Sequence, residues 1–108
     1  MANRFKLSPE DIKDVIKSIG YCIASDKITV DGLKVGFMYR EEPESPDDSG
    51  WRFLSGEETE EYVEDMNNSM IFDVNTIANY DTAIIPYLNL PVGSEMERVN
   101  NSNQFEPL

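Results

Sequence analysis

The sequence predicts an α+β fold: one small domain of 108 residues with a largely antiparallel sheet packed with two main helices. Three observations lead there. Apolar residues recur at helical spacing in only two stretches, one near the N-terminus and one after Ser55. Much of the remainder alternates like strand, punctuated by Gly, Pro and Asn. Helices and strands follow one another without a regular βαβ order, which disfavours a parallel sheet. A chain of this length buries roughly 60–70 % of its unfolded surface, enough for one core. Hydrophobic content of 40 % is ordinary for a globular protein and argues against disorder throughout.

The first helix is expected over residues 9–19. Ser8 can cap it, Pro9 suits its first position, and Glu10 and Asp11 suit the positive end of its dipole. Ile12, Val15, Ile16 and Ile19 share one face, and Gly20 is a natural stop. Tyr21 to Arg40 reads as a β-hairpin turning at Asp31-Gly32. That register pairs Val30 with Leu33 and Ile28 with Val35, and places Phe37 and Tyr39 on the same face. Asp26 would then interrupt the apolar face, so a bulge or strand end is expected at residues 25–27.

Glu41 to Gly50 carries two prolines and reads as a loop, followed by a short strand over Trp51-Arg52-Phe53-Leu54. Ser55 and Glu58 have capping-box spacing. Thr59, Tyr62, Val63 and Met66 form the apolar stripe of the helix expected next, which Asn67-Asn68 ends. Met70 to Val74 is a strand, and Asn75 to Asp81 a turn-rich connection. Asp81 can cap a helical turn through Ile85 that Pro86 limits. Pro91 to Ser94 is a turn, Glu95 to Val99 an edge strand, and the tail from Asn100 to Leu108 loosely ordered.

Chemically, the composition excludes more than it offers. Histidine is absent and Cys22 is the one cysteine, which removes Ser-His and Cys-His nucleophilic pairs, an intramolecular disulfide, and His- or multi-Cys metal sites. Cys22 lies in an apolar run and is read as a buried, inert thiol. No phosphate-binding glycine motif occurs. No apolar run approaches the roughly 18 residues of a membrane helix. Met1 to Lys6 holds no secretory-type hydrophobic segment, which predicts a cytoplasmic protein.

The net charge is −12, and it is unevenly placed. Residues 1–40 sum to +2, whereas residues 41–65 carry eleven acidic groups and only Arg52. Nucleic acid and anionic membranes are disfavoured as partners, and a protein with a basic surface is favoured. With 21 acidic residues some carboxylate pair always lies at a catalytic spacing, so the pairing itself carries little information. Asp47-Asp48-Ser49-Gly50 lacks the ligand spacing of a calcium loop. Neither a metal nor a cofactor is expected. The single tryptophan, Trp51, with Arg52 and Phe53, has two readings: core aromatics beside a surface ion pair, or an exposed strand face that anchors a partner. The acidic segment likewise either keeps the domain soluble or steers a basic protein.

Several ordered blocks carry a family resemblance. Ile23-Ala24-Ser25-Asp26, Gly32, Val35 to Glu41, and Asp48-Ser49-Gly50-Trp51-Arg52-Phe53-Leu54-Ser55-Gly56-Glu57-Glu58 resemble the bacterial immunity protein 33 family (domain of unknown function 2185). Asp73 to Asp81, Ile84-Ile85-Pro86 and Pro91 to Ser94 extend the likeness, so that it covers about residues 20–98. The resemblance implies an α+β domain that protects its producer by binding a cognate polymorphic toxin, and it brings no catalytic residues. The candidates for the contact surface are Arg40, Trp51, Arg52, Glu57, Glu58 and Glu61. A regulatory or scaffold binding module and a small carboxylate-dependent enzyme are the alternatives. The sequence leaves the oligomeric state open.

Overall fold

The computed structural model describes residues 4–108. The reading of the first six residues as lacking a secretory segment falls in part on residues 1–3, outside the described residues. Six strands form one sheet: β1 (Tyr21–Ser25), β2 (Phe37–Arg40), β3 (Asp48–Leu54), β4 (Ser69–Asp73), β5 (Glu95–Arg98) and β6 (Phe105–Pro107), in the spatial order β4-β1-β3-β2-β5-β6. Only β1 and β3 run parallel; every other neighbouring pair is antiparallel. Three short helices complete the fold: α1 (Asp26–Thr29), α2 (Glu60–Glu64) and α3 (Val74–Tyr80). No helix among the described residues is long and apolar enough to cross a membrane.

Strand alternation divides the sheet into two faces. Cys22, Ala24, Met38, Trp51, Phe53, Met96 and Phe105 point to one side and are buried there with Ile28 of α1 and Val74, Ile77 and Ala78 of α3. Ile84 and Leu88 close that core from the 3₁₀ segment Thr82–Tyr87 and the residue after it. Trp51 and Phe53 lie nearly parallel with ring centroids 6.1 Å apart, and the Trp51 indole N–H donates to the Leu88 carbonyl at 3.2 Å. The core reading of the aromatics therefore describes their placement. Cys22 is fully buried, as expected, and burial pushes its thiol far above its ordinary value.

Several sequence expectations are corrected. Residues 12–20 are not helical; only Pro9–Asp11 forms a 3₁₀ turn, closed by Ser8 and Asp11. Side-chain amides take the place of helical bonds: Asn75 Oδ1 accepts from Val15 N–H at 2.8 Å, Asn79 Oδ1 from Lys13 N–H at 3.0 Å, and both amide groups donate back to the Lys13 carbonyl. Extended backbone held this way needs no apolar stripe, and Val15 and Ile19 stay exposed. The 21–40 hairpin is absent too. β1 stops at Ser25, within the interval where a break was expected, because β3 and β4 already occupy both its edges. Ser25 Oγ accepts the Lys27 N–H and starts α1, and Gly32, at φ 80°, ends this turn with its N–H on the Ile28 carbonyl.

The connection expected over 75–81 is instead helix α3, capped by Asp73, with Val74, Ile77 and Ala78 spaced to face the core. β3 begins at Asp48, three residues before Trp51, so the loop is shorter than expected. α2 starts only after Thr59, and Val63 and Met66 of its stripe are 54 % and 89 % exposed. The two-main-helix description thus gives way to several short ones. β5 is not an edge strand, since β6 pairs outside it. The tail is ordered because Phe105 is buried against Tyr87, whose hydroxyl accepts the Phe105 N–H at 2.9 Å.

Phe105→Ala is expected to destabilise the domain by about 3 kcal/mol or more, the cost of emptying a buried phenylalanine site. Chemical denaturation measures it; a loosely ordered tail would give almost no change.

Candidate functional site

The second face of the sheet carries the candidate site. Its residues follow from register. One row crosses the strands as Ile71, Ile23, Arg52, Tyr39 and Glu95. A second runs Leu54, Phe37, Glu97 and Glu106. Phe37 and Tyr39 lie with ring centroids 5.5 Å apart at the centre. Ile71 is 64 % exposed and the aromatics are half-buried, so this face, which α2 covers only in part, is more open than the one beneath α1 and α3. Its rim is acidic. Glu97 stands directly across from Glu106, a like-charge pairing that costs stability in a sheet.

Arg52 is the one basic side chain within those rows, and it is neutralised in place. It is 4 % exposed and grips Asp48 with two nitrogens, Nη1 on Oδ1 at 3.0 Å and Nη2 on Oδ2 at 2.8 Å. Its Nε donates to Glu41 Oε2 at 2.6 Å. Asp48 accepts two further bonds, from the Glu44 and Gly50 N–H groups, so its buried carboxylate is fully partnered. The Arg52 guanidinium holds the Asp48 carboxyl well below the usual carboxylate range, against burial, and the two backbone donors help.

The other two sheet arginines serve the opposite face. Arg40 donates to the carbonyls of Ser49 at 2.9 Å and Leu90 at 2.8 Å, and lies over the Trp51 ring. Arg98 pairs with buried Asp81, donates to the Val35 carbonyl and lies over Phe105. The open face therefore keeps its carboxylates and receives no free arginine from the strands.

The acidic turn and helix rise at one side of this face. Only half of the expected capping box forms: Ser55 N–H and Oγ each donate to Glu58 Oε2 at 2.8 Å and the Gly56 N–H reaches Oε1 at 2.9 Å, while Ser55 Oγ accepts the Glu57 N–H in place of the Glu58 N–H. The pair closes a turn ahead of the helix; α2 takes its own cap from Thr59, whose Oγ1 accepts the Tyr62 N–H. Gly36 permits the turn to pass over the sheet, because a Cβ there would overlap the Ser55 carbonyl oxygen. Burial raises the Glu58 carboxyl, but the bonds from Ser55 and from Ser25 outweigh it and leave the group below its ordinary value.

Between α2 and the strands lies a cleft of about 130 Å³. Ile23, Leu54, Tyr39 and Val63 supply apolar walls, and Tyr62, Glu41, Arg52 and Glu58 the polar ones.

The six residues singled out by sequence thus separate. Glu57 and Glu61 are exposed and Glu58 half-buried on the acidic turn and helix. Trp51 and Arg52 are buried, so neither offers a free side chain, and Arg40 is spent on backbone carbonyls of the packed side. Tyr39, Phe37, Leu54 and Ile71 were not singled out. The alternation through Phe37 and Tyr39 is legible in the sequence, but the strand it marks pairs with β3 and β5 and not with a neighbouring arm of a 21–40 hairpin. The Glu95-Met96-Glu97 alternation also marked two carboxylates on one face.

A family model for the immunity protein Imm33 domain matches residues 22–108. No curated protein matches the chain, and no solved structure does.

Asp48→Asn is expected to cost about 3–5 kcal/mol, because it leaves the Arg52 cation short of its buried partner. The native Asp48 carboxyl lies below its unfolded value. Its stabilisation is therefore complete above the ordinary aspartate range and drains as pH falls through that range toward the depressed native value. Denaturation midpoints measured from neutral pH into acid should fall for the wild type and show a flatter acid limb for Asp48→Asn.

Proposed function

Since the chain belongs to the immunity protein Imm33 family, we propose that it binds and neutralises a cognate toxin protein in the cytoplasm, through the open face of the sheet and the acidic turn and helix beside it. The observation that carries this reading is the composition of that face. An apolar and aromatic centre (Ile23, Phe37, Tyr39, Leu54) is rimmed by the carboxylates of Glu57, Glu95, Glu97 and Glu106, and every sheet arginine is either paired or turned to the other side. Apolar centre with charged rim is how protein interfaces divide affinity from steering. The complementary partner is basic, as a nucleic-acid-cleaving toxin with a phosphate-binding cleft would be. The acidic rim then occupies the place of phosphates.

Binding is favoured over carboxylate catalysis by the protonation of the site. A general acid needs a carboxyl raised toward neutrality. The two carboxyls beside the cleft whose protonation is shifted, Asp48 and Glu58, are both shifted down.

Co-expression with the toxin encoded by the adjacent gene tests the assignment. Growth rescue together with a stable complex supports it; neither, with a soluble toxin in hand, moves the reading to a binding module with another partner. Within a complex, Glu57, Glu61 and Glu97 report the electrostatics best, because all three are exposed. Their joint reversal to lysine is expected to slow association about tenfold or more and to flatten its salt dependence. Stopped-flow or surface-binding kinetics at several ionic strengths measure it, and an unchanged on-rate would remove the steering role.

A further inference from the structure

We propose that the cleft between α2 and the sheet is a receptor for a single lysine or arginine side chain of the protein partner, with Glu58 as its counter-ion. The proposal rests on the immunity reading for its biological partner, while the cleft's chemistry stands on geometry of its own.

Size comes first. A cleft of about 130 Å³ holds the equivalent of about four waters, room for one long side chain but not for a folded segment. The walls come next. Ile23, Leu54 and Val63 offer apolar surface along its length, and Tyr39 and Tyr62 add aromatic rings. Such a lining suits the aliphatic stem of a basic side chain, which buries its methylenes while its head stays polar. A purely apolar guest would leave the carboxylates of the cleft desolvated without gain.

Charge then selects the head group. Glu41 and Asp48 are both engaged with Arg52. Glu58 differs: the donors on its carboxylate are the Ser55 N–H and hydroxyl, the Gly56 N–H and the Ser25 hydroxyl, all neutral groups. Its negative charge is thus hydrogen-bonded but not balanced by a cation, and it borders the cleft. Lys27 Nζ stands over the Tyr62 ring at 4.8 Å without being among the residues that line the cleft, so this ring already accepts an ammonium against its face.

The test needs no toxin. N-acetyl-lysine-N-methylamide and its norleucine counterpart, which lacks the ammonium, are titrated into the ¹⁵N-labelled protein and followed by amide NMR shifts. The lysine compound is expected to give saturable shifts at Ile23, Leu54 and Val63, and the norleucine compound shifts at least about tenfold weaker. Val63→Trp fills the mouth of the cleft from an exposed helical position and should abolish them. Glu58→Gln, which removes the proposed counter-charge, should weaken them about tenfold, whereas Asp14→Asn, at an exposed carboxylate outside the cleft, should leave them in place. Equal shifts from the two compounds, or shifts that persist in Val63→Trp, would overturn the proposal. Lysine binding without growth rescue would uphold the cleft and count against the immunity reading; rescue without lysine binding would do the reverse.

Discussion

A guanidinium sealed inside the sheet sets the terms for everything around it. Arg52 sits in the middle of β3, between β1 and β2, where it is only 4 % exposed and carboxylates take the place of most of its water. Asp48, four residues earlier on the same strand, supplies two oxygens, and Glu41 reaches in from the end of β2. The prolines and acids of residues 41–47 are thereby given a fixed path, anchored at each end by one arm of the same ion cluster. Asp48 in turn organises the Glu44 and Gly50 amides. An ion cluster of this kind adds little net stability compared with an apolar replacement, but removing any single member leaves a stranded charge. It therefore constrains the chain's conformation more than it strengthens the fold.

The same cluster separates the two faces of the sheet by function. On the packed side, Arg40 and Arg98 lie over Trp51 and Phe105 and satisfy carbonyls that the loops would otherwise leave unpaired. On the open side, Arg52 is consumed by its own carboxylates. Acidic residues of β5 and β6 consequently face outward without compensation, including two placed opposite each other. Repulsion of that kind weakens the isolated domain and is relieved by positive charge brought against it.

The legible parts of this fold are those written in short, self-contained signals. The mixed α+β class, the Ser55–Glu58 pair, the Asp81 cap and the Pro91–Ser94 turn all rest on contacts within a few residues, and all occur. Asp31-Gly32 was equally clear as a local signal and misled, because a turn dipeptide serves a helix end as well as a hairpin, and the strands on either side of β1 left residue 26 onward without a pairing partner. The stretch 12–19 has helical spacing, yet Asn75 and Asn79, some sixty residues away, hold it extended. Asparagine is read from sequence as a breaker; here two of them sit on α3 and act as a clamp. For the site, the acidic turn and helix were visible as composition. The aromatic centre was not, because deciding which side of a strand is covered requires knowing where α3 packs.

The position of Phe105 bears on how the protein is made. Five strands are available once Arg98 has been synthesised, but the core keeps an open flank until the aromatic ring of β6 reaches Tyr87. A nascent chain cannot settle cooperatively while its last core residue is still being added, because domains gain their stability as units. The interval between translation of β5 and docking of β6 is thus a period of exposure to aggregation and proteolysis. The rate at which that final strand closes therefore sets the earliest moment at which the sheet and its core are complete.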